Sequence, residues 1–383
     1  MEGRNFRVSG AGSIDGGRLY NPQHVLIIAE LGTSHGSDPV KARELADAAA
    51  EAGADCIKFQ IVYADEILHP NTGEVALPGG NIRLYDRFKE LEVDPDFFAG
   101  LKEYVEGRGL LFLCTPFGMR SAGELRALSP SLVKIASPEL NYTGLLREIA
   151  QWQLPVLLSS GVSRLGDIEE AISILRENEE KTTLGDNICL LHCVTAYPAP
   201  ETDYNLRVLR NLAGVFGVST GVSDHSLDPE LVPVLGTAMG AAAIEKHFCL
   251  SRDDPGLDDP IALPPAAFAQ MVRAVRRAQE MGQEETIQAY SQDRGAALVE
   301  AVLGDGIKRL APSEKANYER TNRSLHALRD IAPGETINRG AFGVLRTEQV
   351  LRPGLPPSWE QQIIGRKARN FIPAGEGIRF EDL

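Results

Sequence analysis

Short apolar runs alternate with helix-period segments along the first three-quarters of the chain. The runs are Val25-Leu-Ile-Ile-Ala-Glu30, Cys56-Ile-Lys-Phe-Gln60, Leu110-Leu-Phe-Leu-Cys-Thr115 and Leu132-Val-Lys-Ile-Ala136. Four more follow: Pro155-Val-Leu-Leu-Ser159, Ile188-Cys-Leu-Leu-His-Cys193, residues 218–222 and Ala242-Ala-Ile-Glu-Lys-His247. Near-continuous apolar runs of this length suit strands covered on both faces. Asp38-Pro39 supplies an N-cap with proline at the first helical position. Ala42, Leu45, Ala46 and Ala49 then share one helical face, and Gly53 stops the helix. A second such face carries Leu165, Ile168, Ile172 and Leu175. Strand–helix units repeated eight times predict an α/β fold, a (β/α)₈ TIM barrel running to about Arg277. The alternative is a doubly wound open sheet, but that fold usually has fewer strands and a Gly-rich first turn. Here Gly32 and Gly36 follow the first strand without forming G-x-G-x-x-G.

Past the barrel, taken as residues 1–281, the pattern weakens. Residues 282–320 are Glu-rich and read as a helical connection. Residues 321–383 carry short apolar runs punctuated by Pro333-Gly334, Pro353-Gly354 and Pro373-Ala-Gly375, which predicts a compact β-rich module. Two similar phrases, Arg329-Asp-Ile-Ala-Pro-Gly-Glu335 and Asn370-Phe-Ile-Pro-Ala-Gly-Glu376, suggest repeated turns within it. A helical annex is the other reading.

Composition narrows the class. Of 383 residues, 43% are apolar and 24% charged, ordinary for a soluble globular chain able to bury a large core. A net charge of −14 argues against non-specific nucleic-acid binding but leaves room for an anionic substrate in a locally basic pocket. No apolar run approaches the roughly 20 residues of a membrane helix, and the opening MEGRNFRVSG lacks a signal peptide's apolar stretch. Cys56, Cys114, Cys189, Cys193 and Cys249 include no Cys-x-x-Cys. Cys189 and Cys193 have only His192 as a nearby nitrogen donor, so a structural zinc site is not expected. A reducing cytoplasm fits best.

Barrel chemistry sits at the carboxyl ends of the strands. Those ends read Glu30; Lys58 and Gln60; Thr115; Lys134, Ser137 and Glu139; Ser159 and Ser160. The last three add His192, Ser223-Asp-His225 and Glu245-Lys-His247. One polar strand end is commonplace, but eight together point to a site. Lys58 and Lys134 are cations on otherwise apolar strands and require anionic partners. These could be substrate phosphate and carboxylate groups or an internal carboxylate such as Glu30, while a Schiff-base lysine is a further option. His225 and His247 end adjacent strands, each beside an acid. They could share one Mn²⁺, Fe²⁺, Co²⁺ or Zn²⁺ ion able to polarise an aldehyde oxygen. Glu139 is a candidate proton carrier, or simply an N-cap.

These residues resemble the sialic acid synthase family. The phrases are Ile28-Ala-Glu-Leu-Gly-Thr-Ser-His-Gly36, Gly53-Ala-Asp-Cys-Ile-Lys-Phe-Gln60, Lys134-Ile-Ala-Ser-Pro-Glu139 and Leu191-His-Cys-Val-Thr-Ala-Tyr-Pro198. Ser223-Asp-His225, Glu245-Lys-His-Phe248 and Pro255-Gly-Leu-Asp258 continue the match. Asn322-Arg-Ser-Leu325 and Ile364-Gly365 resemble the SAF, or antifreeze-like, domain that follows the barrel in that family. Length and the phrase 129–137 look most like the spore coat polysaccharide synthase branch. The resemblance implies condensation of phosphoenolpyruvate with N-acetylmannosamine or a related sugar, giving a nine-carbon 2-keto acid and phosphate. Lys58, Gln60, Thr115, Lys134, Ser137 and Ser159 would then hold phosphoenolpyruvate. His225 and His247 would bind Mn²⁺, with Mg²⁺ or Co²⁺ as alternatives, to activate the aldehyde. Glu30 and Glu139 match family acids that position the sugar and manage protons. Tyr197, Asp258 and Asn81 match sugar-side residues. The family also sends an SAF arginine into the partner subunit's site, implying a domain-swapped homodimer. Counting from Gly334-Glu335 selects Arg346, whereas Arg352, in Arg-Pro-Gly, carries the more familiar local phrase.

The chain departs from the family at Ser34-His35-Gly36, where Asn-His-x-Gly is usual, at Ser137-Pro138-Glu139, where Ser-Gly-Glu is usual, and at Thr195. The first and last of these concern the acceptor sugar, not the reaction type. Two other functions compete: a lysine aldolase on the same barrel, and a non-catalytic carbohydrate-binding or assembly protein.

Overall fold

The computed structural model describes residues 24–77, 80–177 and 187–383. The opening decapeptide read above lies outside them. The barrel strands are β1 (Leu26–Gly32), β2 (Cys56–Ile61), β5 (Leu111–Pro116), β6 (Val133–Ile135), β7 (Val156–Ser159), β8 (Ile188–Cys193), β9 (Ser219–Asp224) and β10 (Ala243–His247). All their ladders are parallel, in the order β5-β2-β1-β10-β9-β8-β7-β6. The two end strands, β5 and β6, lie side by side, so the sheet curls into a nearly closed barrel. A short antiparallel hairpin, β3 (Glu74–Leu77) with β4 (Gly80–Arg83), interrupts the repeat after β2 and is not signalled by the apolar pattern.

Alternation along each strand divides the core. Leu26, Ile28, Cys56, Leu111, Leu113, Leu157, Cys189, Leu191 and Ala243 fill the barrel interior. Their neighbours, among them Ile27, Ile57, Phe112, Leu158, Leu190 and Ile244, face the surrounding helices. The helix Pro39–Glu51 buries Ala42, Leu45, Ala46 and Ala49, and the Asp38 side chain accepts from the Val40 N–H at 2.8 Å. Helix Leu165–Leu175 buries Ile168, Ala171, Ile172, Ile174 and Leu175.

Helices Gln283–Arg294 and Ala296–Leu303 follow the barrel, and residues 304–322 then run back across it with one short 3-10 turn, Pro312–Glu314. The C-terminal module is built on antiparallel β11 (Arg323–Ala327) and β12 (Phe342–Arg346), with further bridges Ile331↔Ile372 and Thr336↔Lys367. Two of its turns cross so closely that a Cβ on Gly354 would stand 2.1 Å from the Leu325 carbonyl oxygen. Only glycine tolerates that approach. Among the described residues, no helix is long and apolar enough to cross a membrane.

Candidate active site

The same alternation sets the chemistry. Continuing the inward positions to the carboxyl ends places Glu30, Lys58 and Gln60, Lys134, Ser159, Cys193, Ser223, Glu245 and His247 around one cavity of about 210 Å³. Loops add Ser137, Tyr197, His225 and Asp258, and the C-terminal module adds Arg346. The pocket therefore gathers most of the residues expected from the sequence.

Four charges stand at its floor. The Lys58 ammonium lies 2.6 Å from Glu30 and 3.4 Å from Glu245, and Lys134 lies 3.5 Å from Glu245. Gln60 donates to the other Glu30 oxygen at 2.5 Å. Burial disfavours charge on Lys58, but Glu245 and Glu30 outweigh it and raise its pKa above the ordinary lysine value. Held as an ammonium, Lys58 is a poor Schiff-base nucleophile. Lys134 is shifted the other way, lowered by burial first, with Lys58 adding to the effect and Glu245 opposing it. Burial would raise Glu245, yet Lys134 and Lys58 hold it at about 2.

Directly above that floor, in the loop after β9 and at the end of β10, His225 and His247 face one another, ring centroids 5.4 Å apart. His225 Nδ1 engages the Val194 carbonyl at 2.9 Å, which fixes the ring and leaves Nε2 toward the cavity. Burial lowers His247 to about 3, which keeps that imidazole neutral. Burial would lower His225 too, but the Cys193 sulfur beside it raises it to about 9, so this ring must shed a proton to act as a ligand. Tyr197 stacks on His225 at 4.3 Å, and an Asp258 oxygen lies 3.9 Å from His247 Nδ1. Among the described residues, no group of three or more His, Cys, Asp or Glu side chains converges as a preformed metal cage. Two imidazoles over a cavity suit an open site whose remaining ligands are water and substrate oxygens.

Several expectations change. His192 points away from the pocket, its Nε2 2.6 Å from the Tyr204 carbonyl, because Cys193 takes the inward position. Asp224 and Lys246 also face outward, forming a 2.5 Å ion pair buried beneath the helices. Neither supports the histidines as a ligand. Thr115 holds the inward position of β5 beside Gln60, fully buried with no partner for Oγ1, but is not itself exposed to the cavity. Asn81, exposed on β4, does not line it. Glu139 is not a free proton carrier. Its Oε1 is shared by Arg323 and Arg346, each at 2.8 Å, while its Oε2 is buried without a partner. Arg352 instead bonds Asp382 at 2.6 Å within the module, so Arg346 is the arginine that reaches the site. It lines the cavity of the same chain, and residues 304–322 lead the module over that barrel.

Arg323 was not anticipated. Fully buried on β11, it donates to Glu139 and to the carbonyl of Phe117 at 2.7 Å, locking the module to the barrel. Its position one residue after Asn322, at the start of an apolar strand, was the available signal.

A model of the NeuB family matches residues 45–286, and an SAF domain model matches residues 322–383. The chain belongs to the NeuB family. Within it, the chain is 32% identical to the spore coat polysaccharide biosynthesis protein SpsE of Bacillus subtilis, over 94% of this chain and 93% of that protein. It is 31% identical to an N,N'-diacetyllegionaminic acid synthase of Campylobacter jejuni, over 92% of this chain and 98% of that enzyme. Similarity extends to human N-acetylneuraminate-9-phosphate synthase at 28%, over 95% and 94% of the two chains. The crystal structure of Bacillus subtilis SpsE superposes with a TM-score of 0.77 at 31% identity, covering 97% of this chain and 98% of that one. This NeuB chain thus shares both the barrel and the appended SAF module with its relatives.

Proposed function

We infer that this NeuB-family chain condenses phosphoenolpyruvate with an N-acetylated hexose to give a nonulosonic acid and phosphate. The observation that carries the reading is the division of one cavity into a lysine floor and a two-histidine wall. Lys58 and Lys134, with Ser137, Ser159 and Gln60 beside them, are suited to the carboxylate and phosphate of phosphoenolpyruvate. Tyr197, Asp258 and Arg346 flank the histidines, where the sugar would lie.

The pocket wall carries three basic side chains, Lys58, Lys134 and Arg346, against three acidic ones, Glu30, Glu245 and Asp258. An anionic ester entering a balanced site gains from an added cation. His225 and His247 would hold a divalent ion, Mn²⁺ in our reading, which when bound supplies Lewis-acid polarisation of the sugar aldehyde. The protein aligns carbon 3 of phosphoenolpyruvate with that aldehyde carbon. Water adds at carbon 2, and the resulting tetrahedral centre expels phosphate. Glu30, held between Lys58 and Gln60, and Glu139, through Arg346, orient the acceptor side. We read the protein as cytoplasmic and as a homodimer in which the Arg346 contacts can also form between exchanged modules. Light scattering tests the oligomeric state.

The experiment is phosphate release from phosphoenolpyruvate with Mn²⁺ over a panel of N-acetylated hexoses, with and without EDTA. Release that needs both a sugar and the metal is expected. Release that survives full chelation removes the two-histidine metal site. Silence with every sugar from a folded, metal-loaded protein favours a binding function.

A further inference from the structure

The serine-rich loop behind the phosphoenolpyruvate side of the pocket is held by a segment with no assigned role, residues 308–322. Ser159 ends β7 and lines the cavity, and Ser160, Gly161, Val162 and Ser163 follow. Val162 has φ +42°, a left-handed conformation that a β-branched residue rarely adopts. Such a backbone persists only when its surroundings over-determine it. Here they do. The Val162 N–H donates to Glu314 Oε2 at 3.2 Å, and its carbonyl accepts from Asn322 Nδ2 at 3.0 Å. Lys308 donates to the Ser160 carbonyl at 3.0 Å.

Glu314 is the hub. It is 1% exposed, and its two oxygens accept three backbone N–H groups. Oε2 takes Val162 and, at 3.0 Å, Thr195, while Oε1 takes Ala311 at 3.1 Å. Asn317 closes the other side of Thr195 by donating to its carbonyl at 3.0 Å. The turn so fixed aims the Gly161 N–H at Ser137 Oγ, 3.0 Å away. With that lone pair occupied, the Ser137 hydroxyl hydrogen turns toward the cavity side, where the Cys193 sulfur takes it and an entering anion can compete for it. There is no slack in the turn, since a Cβ on Gly161 would stand 2.1 Å from Thr195 Oγ1 and 2.9 Å from Ser137 Oγ.

We propose that Glu314 is a positioning residue for phosphoenolpyruvate: by tying Val162 and Thr195 together it holds the Ser159–Val162 turn, and through Gly161 the Ser137 hydroxyl, in the geometry that receives the anion. The proposal rests on the phosphoenolpyruvate reading of the pocket. It also gives the segment leading to the SAF module a part in building the barrel's own site.

The test is steady-state kinetics of the full-length, metal-loaded enzyme with each substrate varied in turn, together with calorimetric titration of phosphoenolpyruvate alone. Glu314→Ala is expected to raise KM for phosphoenolpyruvate about tenfold or more, to weaken its direct binding in parallel, and to leave KM for the sugar within about threefold. Glu314→Gln keeps one carboxyl-type oxygen for Val162 and Thr195 and should recover most of the loss. A purely structural role predicts something else: a reduced active fraction, with kcat falling and both KM values unchanged. That pattern, or unaltered phosphoenolpyruvate affinity in Glu314→Ala, overturns the proposal. If Glu314→Ala fails to fold, Asn322→Ala releases the other side of Val162 and should raise the same KM several-fold; no rise there also overturns it. If the wild-type protein binds no phosphoenolpyruvate, the reading of the pocket falls first, and this proposal with it.

Discussion

Two buried ion clusters border the pocket, and they are assembled by different means. In the inner cluster Glu30, Lys58, Lys134 and Glu245 all stand on barrel strands, at inward positions of neighbouring or facing ladders. Charges balance two against two, and backbone register places them. In the outer cluster Glu139 follows β6, whereas Arg323 and Arg346 come from paired strands of the appended module, 184 and 207 residues away. Here cations exceed the carboxylate, and only docking of the two domains brings them together. The first cluster is a property of the barrel; the second is a property of its assembly with the SAF module.

Substitutions can separate the two. Lys58→Met leaves Glu30 and Glu245 short of a buried partner. We expect a loss of about 3–5 kcal/mol in unfolding free energy and of about 10²–10³-fold or more in turnover, read by denaturant titration and phosphate release. Arg323→Met strikes the outer cluster and should destabilise by a similar order, about 3 kcal/mol. Its signature is different: limited proteolysis should cut within residues 304–322 as the module loosens, while the isolated inner cluster still binds phosphoenolpyruvate. Equal loss of phosphoenolpyruvate binding in both variants would erase the distinction. A third contrast lies within the module. Arg346→Ala should raise KM for the acceptor sugar about tenfold or more, whereas Arg352→Ala, whose partners are Asp382 and Glu376, should stay within about threefold.

The smallest effect concerns acid. His326, buried in the module against the Gly375 carbonyl, Ser324 and Thr347, is lowered to about 4, chiefly by burial. In the unfolded chain it takes up a proton near pH 6.5. The unfolded state therefore binds more protons between those values, and stability falls as pH drops from about 6.5 toward 4. Replacing it with Gln should narrow the stability difference between pH 7 and pH 5 by on the order of 1–2 kcal/mol, measured by thermal melts of wild type and variant.

The barrel was legible because its strands carry a period of two and its helices a period of 3.6, and both show in the apolar pattern. That period contained more than a list of strand ends. Along β8, stepping by two from the interior residue Cys189 gives Leu191 and Cys193 as inward positions and turns His192 outward. The same parity separates Glu245 and His247 from Lys246, and Ser223 from Asp224. The hairpin β3–β4 was not legible, since it is a local insertion without a core-facing period. Nor were the Arg323–Glu139 pair and the Glu314 hub, whose partners are distant in sequence and meet only when residues 304–322 cross the barrel.

One measurement tests the central claim most directly: phosphate release in ¹⁸O-water, with phosphoenolpyruvate, Mn²⁺ and the best N-acetylated hexose, followed by phosphorus NMR. Condensation with water adding at carbon 2 predicts sugar-dependent release of unlabelled phosphate, because the carbon–oxygen bond breaks and the bridging oxygen leaves with phosphorus. Labelled phosphate would mean hydrolysis at phosphorus, and release at the same rate without sugar would mean hydrolysis uncoupled from condensation; either would contradict the account.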